Sequence, residues 1–280
     1  MTNIIDWRGR PPYAGFLGGP NFPNGGEFTM DNVISMMDEK QIAIGVAPFR
    51  KGMDNADGEK LMAEYGSRFR YLAHIDPYDG MEFNRAEIEK YVQNGHAAGI
   101  IVEPSMKFLQ APLFADDQEM LYPIYEYCQA HEILVTITYG GLWTSSVDNY
   151  QPVHADNLAK DFPKLRIVLA HGGWPYTAGI CHVAYQRGNL YLSPELYAVP
   201  GFQPGADDYM AAANNWLQDR ILFGSGVAYP SPEGMLQMAI DSYKQHVKEA
   251  VQDKIFYHNA AALLGLEPKP PIVNVLGDKA

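Results

Sequence analysis

Two arginines one residue apart, Arg8 and Arg10, and a histidine that directly follows an apolar run, His171 after Val168-Leu169-Ala170, invite a chemical reading first. A guanidinium stays protonated and has no lone pair to offer, so the arginines cannot ligate a metal. They can grip a carboxylate through paired N–H donors, which lysine does not reproduce. The competing reading sends both arginines to solvent, or pairs them with Asp6 and Glu27, and Pro11-Pro12 leave the register past Arg10 open. His171 heads the segment His171-Gly172-Gly173-Trp174-Pro175, whose glycines permit a tight turn or close backbone approach to a ligand. It suits a general acid or base, or a donor that polarises a carbonyl; a histidine hydrogen-bonded in the upper core is the alternative.

Further polar residues follow other apolar runs. Glu103, in front of Pro104, can orient His171, act as a base or neutralise an arginine, and a structural ion pair is the competing role. His74, near Asp76, would have to stay neutral beside a cationic pocket, or would bond a loop carbonyl. His171, Glu103 and His74 are therefore the candidate catalytic groups. Arg8, Arg10, Lys107, Thr138 and Glu195 are candidate substrate contacts, and Tyr139, Trp143, Trp174 and Tyr197 are candidate ring-stacking walls. His154 is left open as a pocket contact, and the other histidines read as ordinary.

These residues can meet only if one architecture gathers them. Eight short apolar runs recur with helical segments between them: Ile4-Ile5, 42–47, 71–75, 99–102, 134–138, 167–170, 190–192 and 221–223. Continuously apolar strands separated by crossover helices predict a parallel sheet covered on both faces, an α/β (β/α)8 TIM barrel in which the strand ends share one mouth. Helices are expected after Thr29, from capping boxes at Asn84/Glu87 and Asp116/Glu119, and after Ser231-Pro232. The chain reads as one domain over residues 1–280. A Gly/Pro-rich loop, 9–28, lies at the mouth, and a proline-rich C-terminal arm, 267–280, lies on its own barrel or on a neighbouring copy, so homo-oligomerisation through it is an expectation.

Composition narrows the function classes. With 33 Asp and Glu against 21 Lys and Arg, a broad nucleic-acid surface is disfavoured. Two cysteines, Cys128 and Cys181, build no disulfide framework, and no apolar stretch reaches membrane-span length. A cytoplasmic protein without nucleic-acid or membrane partners is expected, acting on a small carboxylate-containing molecule.

The chain resembles the amidohydrolase superfamily, in its amidohydrolase-related branch of aromatic-acid decarboxylases, hydratases and dicarboxylate lactonases. The resemblance rests on Ile4-Ile5-Asp6, Ile167 to Pro175, Ile221-Leu222-Phe223-Gly224-Ser225 and Asn259 to Leu266. It implies a His-x-His metal pair after the first strand, where this chain has Arg8 and Arg10. The family histidine of strand 5 falls on Thr138, that of strand 6 on His171, and the strand-8 aspartate on Gly226. The resemblance thus implies a degenerate metal site, and neither metal nor other cofactor is expected; a metal held afresh by His74, Glu103, His171 and Glu195 is the alternative. The first expectation is a metal-independent, lactonase-like hydrolase of a small cyclic or aromatic carboxylic acid. A decarboxylase or hydratase comes second, because the family's decarboxylases are implied to use metal, and a non-catalytic binding barrel is the third reading.

Overall fold

A computed structural model describes residues 3–12, 29–105, 112–142, 144–229 and 234–275; Lys107, Trp143, residues 13–28 and the Ser231-Pro232 cap lie outside them. Seven strands, β1 (Ile4–Asp6), β2 (Ile42–Pro48), β3 (Phe69–His74), β4 (Ile100–Val102), β5 (Val135–Thr138), β6 (Ile167–Ala170) and β7 (Leu190–Ser193), form one parallel sheet in sequential order. All seven lie on predicted apolar runs. The eighth run, 221–223, sits between β7 and β1. The Leu222 N–H donates to the Leu192 carbonyl at 2.9 Å, and the Trp7 N–H donates to the Phe223 carbonyl at 3.0 Å. It makes a single bridge, Leu192 with Ile221, and no ladder. One reason is that the Phe223 N–H turns instead to the Ile255 carbonyl, 3.0 Å away. The fold is α/β and TIM-barrel-like.

Side-chain alternation along each strand divides the core in two. Ile5, Trp7, Val46, Leu72, Ile101 and Val168 belong to an inner cluster, which Ala260, Ala261 and Leu263 also join. Ile42, Tyr71, Ile100, Val135, Ile137 and Leu169 belong to an outer cluster with the helices. Burial on both faces is why the strands carry no polar alternation.

The helices are α1 (Met30–Glu39), α2 (Asn55–Tyr65), α3 (Met81–Ile88), α4 (Tyr122–Ala130), α5 (Pro152–Asp161), α6 (Thr177–Gln186), α7 (Ala206–Ala213), α8 (Met235–His246), α9 (Glu249–Asp253) and α10 (Asn259–Leu263). Thr29 caps α1 as expected, accepting from the Asn32 N–H at 3.3 Å. Two capping boxes do not form. Asn84 lies inside α3, which starts after Gly80, and donates to the Asp76 carbonyl at 2.8 Å. Before α4 it is Asp117 that accepts the Glu119 and Met120 N–H groups, while Asp116 binds His154 and Asn157. Each supposed cap has been drawn into a tertiary hydrogen bond, which sequence spacing does not reveal.

The described part of the C-terminal arm lies on its own barrel. Arg166 donates to the Pro270 carbonyl at 2.9 Å, and the Gly188 N–H donates to the Asn274 side chain at 2.8 Å. A Cβ on Gly188 would fall 2.2 Å from the Val273 carbonyl oxygen, so the arm's approach requires glycine there.

Candidate active site

Register and parity fix which side chains reach the mouth. Thr138 pairs with Ala170 and Ala170 with Ser193, while Val102 pairs with Ile137, which sets Glu103 beside Thr138. Glu103, Thr138, Ala170 and Ser193 thus form one layer at the strand ends, and three of the four are small. The same parity carries Tyr139 outward. Its ring is buried edge-on to Tyr150, with centroids 5.7 Å apart, and its hydroxyl donates to the Gln151 carbonyl at 2.7 Å. Tyr139 therefore belongs to the sheet–helix core and is not brought to the other site residues.

Arg8, His171 and Glu195 do come together. The His171 Nδ1 lies 2.9 Å from the Gly140 carbonyl, which can only accept, so that nitrogen carries the proton. Nε2 then accepts from the Arg8 Nη1, 2.8 Å away. The Glu195 carboxylate lies 3.5 Å from the same Nη1 and accepts the His171 backbone N–H at 3.1 Å. Burial, then the neighbouring Arg8, hold His171 well below the usual imidazole range, so it is neutral. Burial pushes Glu195 up, while Arg8, the His171 N–H and Arg10 pull it back. His171 and Glu195 both adopt positive φ, 64° and 60°, a costly backbone for non-glycine residues that clusters at functional sites.

Asp6 pairs with neither guanidinium. Fully buried, it accepts the Ser225 N–H at 2.7 Å, the Ser225 hydroxyl at 2.5 Å, the Arg8 N–H at 3.1 Å and the Tyr229 hydroxyl. It is a clasp between β1 and the segment after 221–223. Arg10 donates through Nη2 to the Gly226 carbonyl, and burial followed by Arg8 lowers its pKa to about 10. The Nε atoms of both arginines are buried without a hydrogen-bond partner.

Gly226 explains how Glu195 fits. A Cβ there would lie 2.5 Å from the Glu195 Oε2, and the backbone has φ 66°. The carboxylate occupies space that any side chain at Gly226 would take. Gly226→Ala is expected to cost about 1–3 kcal/mol, from strain and overpacking, read as a lowered urea midpoint.

On the other side of the mouth, Glu103 is buried and accepts the Lys51 N–H at 3.4 Å. Burial raises its pKa, against smaller opposing effects from Arg8, the Lys51 N–H, Arg50 and the Thr138 hydroxyl, which lies against it without a hydrogen bond of standard geometry. His74 Nε2 stands 3.8 Å from the Glu103 Oε2. Its backbone is held by Asn55, whose side chain accepts the His74 N–H at 2.8 Å and donates to the His74 carbonyl at 3.0 Å. Burial lowers the His74 pKa from 6.5 to about 4. The unfolded chain therefore binds the extra proton between those values, and stability falls as pH drops through the window. Up to about 3 kcal/mol should be lost this way between pH 7 and 4. Urea titrations of wild type and His74→Asn should diverge across that range, the variant showing the shallower slope.

Trp174 and Tyr197 stack on each other with centroids 5.2 Å apart, and Tyr197 meets His171 edge-on at 5.5 Å. The Tyr197 hydroxyl accepts the Leu142 N–H at 3.0 Å. His154 is instead engaged by Asp116 at 2.8 Å and stacks on Phe114. Sequence reasoning passed over Arg50, though it closely follows β2, and the strand-end logic that selected His74 and Glu103 would have found it. It also passed over Ser225 and Tyr229, which carry no signal until Asp6 is placed beside them.

A divalent ion at this mouth would need several deprotonated ligands. Arg8, Arg10, Thr138 and Gly226 offer guanidinium groups, a hydroxyl and no side chain, and the His171 Nε2 is turned to Arg8. Among the described residues no group of three or more His, Cys, Asp and Glu could hold a metal ion. The residues do not fit such an ion. Among the described residues no helix is long and apolar enough to cross a membrane.

The amidohydrolase family profile matches residues 40–266. The chain belongs to that family. An uncharacterized TIM-barrel protein from Bordetella bronchiseptica is 30% identical, covers 94% of this chain and 98% of its own, and superposes with a TM-score of 0.83. A dihydroxybenzoic acid decarboxylase from Polaromonas sp. JS666, solved with manganese and the inhibitor 2-nitroresorcinol, is 20% identical over 95% of this chain and 98% of its own, with a TM-score of 0.68. A probable 2-pyrone-4,6-dicarboxylic acid hydrolase from Acinetobacter baumannii, with citric acid bound, is 14% identical over 94% and 99%, with a TM-score of 0.65. At such identities the last two share the fold of this amidohydrolase-family chain. No protein of the curated collections matches it.

Proposed function

We propose that this amidohydrolase-family chain is a lyase that removes carbon dioxide from a small aromatic carboxylic acid, with the Arg8 guanidinium serving where a metal would otherwise act. One observation carries the preference for lyase over lactonase. Hydrolysis needs a base to activate water, and neither ring nitrogen of His171 is free: Nδ1 faces the Gly140 carbonyl at 2.9 Å and Nε2 faces Arg8 at 2.8 Å. His171 is then a positioning residue for Arg8. The dihydroxybenzoate decarboxylases among the similar structures support the same choice.

In this reading Arg8 and Arg10 hold the substrate carboxylate, Trp174 and Tyr197 flank the ring, and the strand-end layer of Thr138, Ala170 and Ser193 gives it room. The two buried glutamates divide the work. Glu195 contacts the Arg8 cation directly and remains its counter-ion. Glu103 meets no guanidinium at that range, so burial favours its protonated form and it becomes the acid. Glu103 gives its proton to the ring carbon that bears the carboxylate. The carbon–carboxylate bond then breaks, its electron pair stays on the ring, and carbon dioxide leaves, so that R–COO⁻ plus H⁺ yields R–H and CO2. Run 221–223 completes the barrel as its eighth strand and, with β1, presents Arg8 and Arg10.

A panel of hydroxylated benzoates and cyclic lactone carboxylates, incubated in deuterated water and read by NMR and mass spectrometry, tests the assignment. Carbon dioxide release with one deuterium at the vacated ring carbon is expected. Ring-opened acids that take oxygen from labelled water would instead establish a hydrolase.

A further inference from the structure

Each turnover of the proposed decarboxylation consumes a proton from Glu103, which is buried and, with substrate seated on Arg8, cut off from water on the mouth side. A second path lies behind it. Between the loops that follow β2 and β3 is a cavity of about 410 Å³ whose lining includes Lys51, Asn55, His74, Asp76, Asp79 and Glu87, and none of Arg8, His171 or Glu195. His74 belongs to this lining and also faces Glu103, with Nε2 3.8 Å from Oε2.

The geometry points to His74 as a proton relay that recharges Glu103 from the acidic cavity between α2 and α3. This rests on the decarboxylase reading. The charged groups around His74 suit the task. Asp76 is paired with the Lys51 Nζ at 2.7 Å, Glu87 receives an Asn55 amide hydrogen at 3.3 Å, and Asp54 and Asp79 complete the cavity's carboxylates, so the wall carries more negative than positive charge and draws hydronium. Asn55 grips the His74 backbone at both its N–H and its carbonyl, and among the described residues no hydrogen bond fixes the imidazole ring. The 3.8 Å gap is about 1 Å longer than a hydrogen bond, a distance that a small ring rotation or one bridging water spans. In the relay, His74 Nε2–H passes its proton to the Glu103 carboxylate while Nδ1 takes one from hydronium in the cavity, which leaves as water. The ring regains its first tautomer by exchange with the same water.

The test needs no identified substrate, because saturating benzoate fills the mouth and leaves the cavity as the route for exchange. The carbonyl stretch of protonated Glu103, assigned by its loss in Glu103→Gln, is followed by infrared spectroscopy after rapid mixing into deuterated water. Wild type should exchange at least tenfold faster than His74→Ala or His74→Asn, and added imidazole should restore fast exchange in His74→Ala. Exchange at the wild-type rate in both variants would overturn the relay, as would slowed exchange in His74→Ala that imidazole does not restore, which marks a structural effect. A missing Glu103 band in the wild type at neutral pH would mean that Glu103 is ionised, overturning its role as the acid and the relay with it.

Discussion

Methionine in place of Arg8 is expected to lower kcat/KM on the aromatic acid that the chain turns over by roughly 10²- to 10⁴-fold, the equivalent of about 3–5 kcal/mol for removing one partner of a buried charge pair. The loss has two sources. The substrate carboxylate loses the guanidinium it would meet, and Glu195, 3.5 Å from the Arg8 Nη1, is left buried without its counter-ion. Lysine at the same position should recover little, because a single ammonium cannot reach the His171 Nε2, the Glu195 carboxylate and the substrate with the geometry of a planar fork. Steady-state kinetics of Arg8→Met and Arg8→Lys check this. Near-wild-type kcat/KM in the methionine variant would remove Arg8 from the reaction.

Asp6→Ala should damage the fold rather than the chemistry, costing about 3–5 kcal/mol in urea unfolding. Four donors converge on this carboxylate, two of them from Ser225 and one from Tyr229, all in surroundings without water to replace it. Removing it strands those donors at the junction where β1 meets the run after β7, whose single bridge is to β7. Tyr229→Phe, which deletes one of the four donors, should cost much less, about 1–2 kcal/mol. A loss as small for Asp6→Ala would show that the clasp contributes little to holding the two segments together.

Much of the fold was legible because a parallel sheet buried on both faces leaves uninterrupted apolar runs, and all seven strands lie on such runs. The run at 221–223 was also placed correctly between its neighbours, but its reduction to a single bridge was not foreseeable, since it depends on where the Phe223 N–H finds its acceptor. The mouth was legible wherever a polar residue ended a strand: Arg8, Glu103, Thr138, His171 and Glu195 all arrive there. Tyr139 was misplaced although the information was present, because counting by twos from Val135 and Ile137 puts it on the outer face. Two relationships were out of reach. Asp6 and its partners are 219 and 223 residues apart in the chain. The exchange of a side chain at Gly226 for the Glu195 carboxylate depends on an approach that only three-dimensional placement reveals. The reading of His171 changed for a similar reason, since a free imidazole and one with both nitrogens engaged look identical in sequence.

The central claim, that a guanidinium and not an exchangeable metal supplies the positive charge of this site, is tested most directly by titrating the best-processed aromatic acid into chelator-stripped protein by calorimetry, with and without added manganese or zinc. Stripped wild type should bind the acid, neither metal should strengthen binding appreciably, and Arg8→Met should lose at least a hundredfold in affinity under all three conditions. Binding that vanishes on stripping and returns with one equivalent of metal would contradict it.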